Sequence, residues 1–447
     1  MSDDGGGFRA RAARYVKVST RVGGLAAKLA GERYLGLNLD RQKHAEDLRA
    51  ALGGLKGPLM KVAQLLSTIP DALPSEYAGE LAQLQADAPA MGWLFTRRRM
   101  AGELGADWQA KFSSFGREAE RAASLGQVHR ATDLDGRALA CKLQYPDMKA
   151  AVEADLNQLK LIFAIYRRTD KTIDPGEIHD EIADRLREEL DYEREARHMR
   201  LYARVLKDEK GVHVPDVVPA LSTSRLLTMG WLDGAPLLSF ADADAETRNA
   251  IAYNLFRAWY VPFYDTGIIH GDPHLGNYTV REDHTINLLD YGCVRIFRGA
   301  FVKGVIDLYH ALKNGDEALA VSAYEGWGFT KLDREMIDVL NQWARFVYAP
   351  LIEDRKRKIQ DAAAGGYGHE VAHKVHTELR RLGGIRPPRE FVFVDRAAIG
   401  LGSVFLHLKA EINWHQLFES LIKDFDAAAL DKRQKRYLKA VGLAAPA

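Results

Sequence analysis

Apolar and polar positions follow two rhythms along this chain, and the switches between them divide it. Residues 1 to about 115 carry mainly the helical spacing. Leu48 to Leu55 is one short segment. Gly57-Pro58 opens a second, with Pro58 where a first helical residue tolerates it, and Pro70 closes it. On that helix Leu59, Val62, Leu66 and Ile69 recur at i, i+3, i+7 and i+10 as one apolar stripe. Lys61 and Gln64 share a different face, which taken alone is an ordinary solvated one. From Phe112 the spacing shortens to β runs: a strand, a small-residue turn from Arg121 to Gly126, a second strand, a turn from Thr132 to Gly136, and a third strand ending on Lys142. Asp147 to Arg168 and Glu177 to Leu206 read as two helices, the second long and highly charged. Val212 to Val218 and Arg225 to Trp231 are β runs again, and beyond Gly234 the chain is helical except for the stretch from Ile269 to Gly292.

That stretch holds the chemistry. It contains His270-Gly-Asp272, then Asn277 five residues after the aspartate, then Asp290-Tyr-Gly292 thirteen further on. A protein-kinase catalytic loop reads H-R-D-x-x-x-x-N and is followed by D-F-G; its first Asp is the catalytic base, and the Asn and second Asp hold magnesium. Tyr278 to Val280 and Ile286 to Leu289 read as two short strands around a polar turn, Arg281 to Thr285. Such a hairpin returns Asn277 and Asp290 to one end, where two oxygen ligands can share a metal.

Upstream, the same template can be laid over the β runs. A kinase glycine-rich loop puts Arg121 and Ala123 where its first two glycines would stand, while Gly126 and Val128 fit its last two landmarks. Leu139-Ala-Cys-Lys142 fits the V-A-I-K strand, whose lysine pairs with the α and β phosphates. A kinase also needs one helix carboxylate for that lysine. Glu195 and Asp191 are i, i+4 on the charged helix, whereas Glu189 and Asp191 point about 200° apart unless the helix bends. Met229 to Trp231 falls where an inter-lobe hinge would offer backbone carbonyl and amide to an adenine edge.

Composition narrows the setting. The chain has 447 residues, 47% hydrophobic and 28% charged, with a formal net charge of +1. Those values suit a globular protein and give no bulk electrostatic reason to expect nucleic acid. Two cysteines, Cys141 and Cys293, make no disulfide framework, so a reducing cytoplasmic home is expected. No N-terminal apolar signal is visible, and no stretch reaches the ~18 uncharged apolar residues of a membrane span. The segment Arg9 to Lys28, basic with Tyr15, Val18, Val22 and Leu25 interleaved, reads either as a solvated helix or as a peripheral contact with an anionic membrane surface.

Six motifs in order, Lys61-Val-Ala-Gln64, Ala122 to His129, Lys142 to Pro146, Glu189-Leu-Asp191-Tyr, His270 to Asn277 and Asp290-Tyr-Gly292, resemble the UbiB/AarF family of atypical kinase-like proteins. The resemblance implies an α+β, two-lobed protein-kinase-like fold with an N-terminal helical extension: residues 1–115 as the extension, 116–232 as the N-lobe and 233–447 as a mostly helical C-lobe. It implies ATP and Mg2+ as cofactors, and a lipid or quinone precursor as a further partner in isoprenoid-quinone biosynthesis. Residue by residue, it places Lys61 and Gln64 against the nucleotide pocket, with Lys61 near Glu189 or Asp191 as regulatory carboxylates. Lys142 and Glu195 become the strand–helix ion pair, Asp272 the base, and Asn277 and Asp290 the magnesium ligands. Ala122, Ala123, Ser124, Gly126, Gln127 and Val128 form the alanine-rich loop over the nucleotide, and Met229 and Trp231 the hinge.

The sequence departs from the family at Ala63 for glycine, Arg121 for alanine and Tyr291 for phenylalanine. Two residues after Asp272, where a protein kinase has lysine, stands His274, and no Ala-Pro-Glu follows Gly292. Phosphorylation of other proteins is therefore not expected; slow ATP hydrolysis or transfer to a small or lipid molecule is. Two other functions compete: a nucleotide-regulated, non-catalytic lipid-binding scaffold, and a zinc hydrolase using His369-Glu370-Val-Ala-His373, which is H-E-x-x-H.

Overall fold

A computed structural model describes residues 91–446, apart from 123–124, 170–174, 331, 360–373, 376, 379–380 and 383–387. Lys61, Gln64, Ala123, Ser124 and the H-E-x-x-H triplet thus lie outside the described residues, as does the basic segment Arg9 to Lys28. The chain divides into two units, one made of Met1–Glu193 and Val218–Met229, the other of Arg194–Val217 and Gly230–Ala447. One crossing, between Met229 and Gly230, falls within the predicted hinge.

In the first unit, α1 (Trp93–Leu104) precedes β1 (Ser114–Phe115), β2 (Arg121–Ala122), β3 (Gly126–Thr132) and β4 (Ala138–Gln144). Helices α2 (Met148–Thr169) and α3 (Pro175–Glu189) follow. The chain then runs through α4 (Tyr192–Val205) and β5 (Val212–His213) before β6 (Leu226–Gly230) joins the first sheet in the order β1-β3-β4-β6, with β2 also on β3. Strands β3 and β4 pair antiparallel from Gly126 opposite Gln144 to Thr132 opposite Ala138. Asp133 shapes the connecting turn by accepting from the backbone of Asp135 and Arg137. Inward residues Ala131, Leu139, Cys141, Leu143 and Leu226 pack on Met100, Trp108 and Phe112, so the sheet's alternation becomes a core against α1.

The charged helix expected over Glu177 to Leu206 is two helices. At the junction, Leu190 N–H bonds to Arg187 O and Asp191 N–H to Glu188 O, both three-residue closures. The Leu190 carbonyl accepts from Gln144 Nε2 at 2.9 Å on β4, and the Tyr192 ring is buried beneath the Lys142 ammonium, 5.2 Å from its centroid. The Leu190 carbonyl, which a continuing helix would have used, is thus taken by β4.

In the second unit, β7 (Ala235–Pro236) and α5 (Ala245–Thr266) lead to β8 (Ile268–His270), β9 (Tyr278–Val280), β10 (Ile286–Leu288) and β11 (Val294–Ile296). The sheet order is β5-β10-β9-β7, with β8 and β11 as a separate antiparallel pair. Helices α6 (Gly299–Asn314), α7 (Glu317–Trp327) and α8 (Arg334–Ile352), then β12 (Arg357–Lys358), α9 (Arg389–His407), β13 (Glu411–Ile412), α10 (Trp414–Ile422) and α11 (Ala427–Val441) complete it. Asp244 caps α5 by accepting from Thr247 N–H, and Gly267 ends it in the left-handed region at φ 68°. That turn sends the chain directly into β8.

The final helix is bolted to this turn. Gln434, 3% exposed, donates from Nε2 to Thr266 O at 2.7 Å and Phe297 O at 2.8 Å. Gln434→Leu would leave both carbonyls buried without these donors, and we expect it to cost about 2–4 kcal/mol, read by chemical denaturation. An unchanged midpoint would show that α11 does not secure the turn.

Candidate functional site

In the second unit, the buried strand β8 delivers His270 to the start of an irregular loop, while the β9–β10 hairpin closes on the same place. The loop ends in a short 3-10 turn, Leu275–Asn277, and His274 Nδ1 accepts from Gly276 N–H at 3.0 Å at its start. Asn277 then makes two bonds that set the register. Its Nδ2 donates to Asp272 O at 3.0 Å, and its carbonyl accepts from Leu289 N–H at 2.9 Å, one residue before Asp290. Asp272, Asn277 and Asp290, apart in sequence, are gathered at one hairpin end, where the spacing predicts Asn277 and Asp290.

His270 locks the two aspartates together. Its Nε2 lies 2.8 Å from Asp290 O, and its Nδ1 accepts from Asp272 N–H at 3.1 Å. A carbonyl can only accept, so Nε2 carries the proton and Nδ1 the lone pair. One imidazole therefore spans from the backbone of Asp272 to the backbone of Asp290. The Trp259 ring, 5.5 Å away, holds it in place. The carboxylates are shaped locally: Asp272 Oδ1 accepts from His274 N–H at 3.2 Å, and Asp290 Oδ1 from Gly292 N–H at 3.0 Å.

Behind Asp290, Tyr291 is fully buried and donates to Leu288 O at 3.0 Å. Its phenol is pushed well up, first by burial and then by Tyr202, Asp290 and Glu195. Glu195, on α4, is 2% exposed. One turn further along the same face, His198 Nδ1 donates to Tyr291 O at 3.1 Å. His198 was missed in the sequence reading; its only signal there was the i+3 spacing from Glu195. The buried Tyr278 hydroxyl is also pushed up, by burial and then by Asp272.

Apart from Trp231, the first unit carries the remaining candidates. Lys142 stands on β4 opposite Val128, half-buried over Tyr192. Glu189 ends α3, whereas Asp191 is exposed at the break, so the two do not share one regular helix. Ala122 pairs with Gln127 across the small-residue turn, and Arg121 with Val128. At Gly126 a Cβ would come within 2.5 Å of Leu143 O, a close approach that excludes larger residues. Gln127 is fully buried and turned away from that face. Its Oε1 accepts from Met91 N–H at 2.6 Å, and its Nε2 reaches Thr96 Oγ1 at 3.2 Å and His129 Nε2 at 2.7 Å. Its side chain serves the β3–α1 core, leaving its backbone as the part a ligand could meet. At the hinge, Met229 is buried, Gly230 N–H bonds to Asp216 O, and Trp231 donates to Asp233 at 2.8 Å.

The oxygen donors suit magnesium. Asn277 spends its N–H on Asp272, which leaves its Oδ1 to face a cation, and Asp290 adds a carboxylate at the same hairpin end. Among the described residues no three His, Cys, Asp or Glu side chains form a metal cage. Mg2+ requires none, since it takes one or two protein oxygens and completes its shell with phosphates and water.

A family model of the ABC1 atypical kinase-like domain matches residues 83–324. Atypical kinase COQ8, mitochondrial, of Saccharomyces cerevisiae is 32% identical over 250 residues, 56% of this chain and 50% of that one. Protein ACTIVITY OF BC1 COMPLEX KINASE 7, chloroplastic, of Arabidopsis thaliana is 31% identical over 280 residues, 62% of this chain and 40% of that one. The chain thus spans half or less of these curated relatives' lengths. The solved complex of Rv3197 with erythromycin from Mycobacterium tuberculosis superimposes with a TM-score of 0.61 at 26% identity, over 86% of this chain and 96% of that one.

Burial holds the His198 ring down at about 4, from an ordinary 6.5. The folded state then binds fewer protons than the unfolded one between those values, so His198 contributes stability above pH ~6.5 that is lost as pH falls towards 4. The full shift corresponds to about 3 kcal/mol. His198→Gln keeps a donor for Tyr291 O without titrating. We expect the unfolding free energy of this variant to fall less steeply between pH 6.5 and pH 4 than that of the wild type. Parallel curves would show that the ring titrates normally.

Proposed function

We propose, from the premise that the chain belongs to the ABC1 atypical kinase-like family, that it binds Mg-ATP and cleaves the γ-phosphate, with water or a small or lipid molecule as acceptor. The observation that carries this reading is the His270–Asn277 brace, which holds Asp272 and Asp290 at one hairpin end. Kinase-like phosphoryl transfer needs positioning more than covalent chemistry, so a rigid pair of carboxylates of that kind is its main structural requirement.

The roles divide as follows. Asp272 orients the attacking oxygen and takes up its proton. Asn277 and Asp290 hold the metal, whose bound charge offsets that building on the phosphoryl oxygens. Lys142 supplies a fixed cation to the α and β phosphates, with Glu195 as its acidic partner. Ala122 to Val128 approaches the phosphates through its backbone, consistent with the inward turn of Gln127. Met229 and Trp231 bracket the adenine edge. Lys61 and Gln64 of the extension, with Glu189 and Asp191 as acidic partners, restrict which acceptor enters.

Support for a non-peptide acceptor comes from His274 in place of lysine and from the short path between Gly292 and α6, which begins at Gly299. Membership of the family brings isoprenoid-quinone biosynthesis as the pathway to test and a lipid or quinone precursor as the acceptor class. Relatives are named as mitochondrial and chloroplastic. Among the described residues no helix is long and apolar enough to cross a membrane, so any membrane contact is proposed as peripheral.

Phosphate release from Mg-ATP separates catalysis from a scaffold role. Asp290→Asn preserves the hydrogen-bond acceptor for Gly292 but removes the metal-binding charge, and we expect release to drop on the order of 100-fold. Equal release by wild type and variant would remove Asp290 from the chemistry and leave the nucleotide-regulated scaffold as the better reading.

A further inference from the structure

Away from the loop, the second unit holds a partly open cavity of about 130 Å³, lined by α5 to α9. Its walls are aromatic, with Phe256, Tyr260, Trp343, Tyr348 and Phe405 among them. Among the described residues that line it, Asp395 is the sole charged group. Asp395 Oδ1 accepts from Trp343 Nε1–H at 2.9 Å, and among the described residues no Lys, Arg or His side chain lines the space.

A carboxylate against apolar walls is costly unless a counter-charge meets it. Asp395 keeps some solvent access, yet its apolar surroundings push the carboxyl up to about 6, opposed by the Trp343 bond. The phenols of Tyr260, Tyr264, Tyr324 and Tyr348 share the lining; burial pushes all four above their ordinary range, so none offers charge near neutrality. What the described lining lacks is a cation. Its aromatic faces suit one, because ring quadrupoles attract an ammonium. Its size also sets a limit: an engineered cavity of about 150 Å³ takes one benzene ring.

We propose that this cavity binds an apolar organic amine, its protonated nitrogen on the Asp395 carboxylate and a single ring against the aromatic walls. The site is distinct from the residues proposed to hold Mg-ATP. It nevertheless adjoins their framework: Ile269 of β8, next to His270, lines the cavity, and Gly400 of α9 packs on Pro273.

Benzylamine and benzyl alcohol differ by the charge and little else. Calorimetric titration of the full chain without nucleotide keeps the outcome independent of phosphoryl transfer. We expect saturable benzylamine binding, weaker by about tenfold or more for benzyl alcohol and for benzylamine with Asp395→Asn. Gly402 lines the cavity and has nothing within 4 Å of a would-be Cβ, so Gly402→Leu fills the space without a clash at that atom and is expected to abolish binding of the amine. Circular dichroism confirms that both variants fold. No saturation by benzylamine, equal affinity for the alcohol, or binding unaffected by Asp395→Asn or by Gly402→Leu would each overturn the proposal.

Discussion

The candidate centre depends on one imidazole. His270 donates to the backbone of Asp290 and accepts from the backbone of Asp272, so the two carboxylate-bearing segments cannot drift apart without leaving buried polar groups short of a partner. Asn277 repeats the device on the other side, reaching Asp272 O with its side chain and Leu289 N–H with its backbone. Three backbone groups are held by the two side chains and a fourth by the Asn277 carbonyl, while each carboxylate gives one oxygen to a local backbone N–H. Catalysis by positioning calls for such a fixed frame.

The brace is in turn supported from below. Gly267 turns α5 into β8, and the carbonyls of that turn and of Phe297 are taken by Gln434 of the last helix. Tyr291 fills the space behind Asp290, with His198 of α4 bonded to its carbonyl. Burying Glu195 and His198 together on one helical face is expensive, and the His198 bond ties α4 to the Asp-Tyr-Gly turn that carries the candidate metal carboxylate.

The cavity lined by Asp395 is built on the opposite principle. Around the loop, His270, Asn277, Tyr291 and His198 each face a specific partner; in the cavity a single carboxylate faces rings and one indole N–H. The same unit thus holds one cluster whose bracing groups are paired and one charge whose described lining supplies no cation. Satisfied clusters rigidify a fold, while a charge in such surroundings favours an external partner.

Much of the fold and the centre was legible in the sequence because it is written at short range. The His270–Asp272–Asn277 spacing, the β9–β10 hairpin and the helix after Gly292 follow from turn residues and periodicity over about 30 positions. What sequence alone could not supply was decided by bonds between distant segments. The helix break at Leu190 arises because Gln144, 46 residues earlier, takes its carbonyl. The inward turn of Gln127 arises because Met91, Thr96 and His129 satisfy its amide, and periodicity cannot tell a strand's core face from its ligand face. His198 escaped notice for the same reason, since its partner lies 93 residues away. Local propensity specifies where an element begins and which residues share a side, but only the packed chain determines which buried donor meets which buried acceptor.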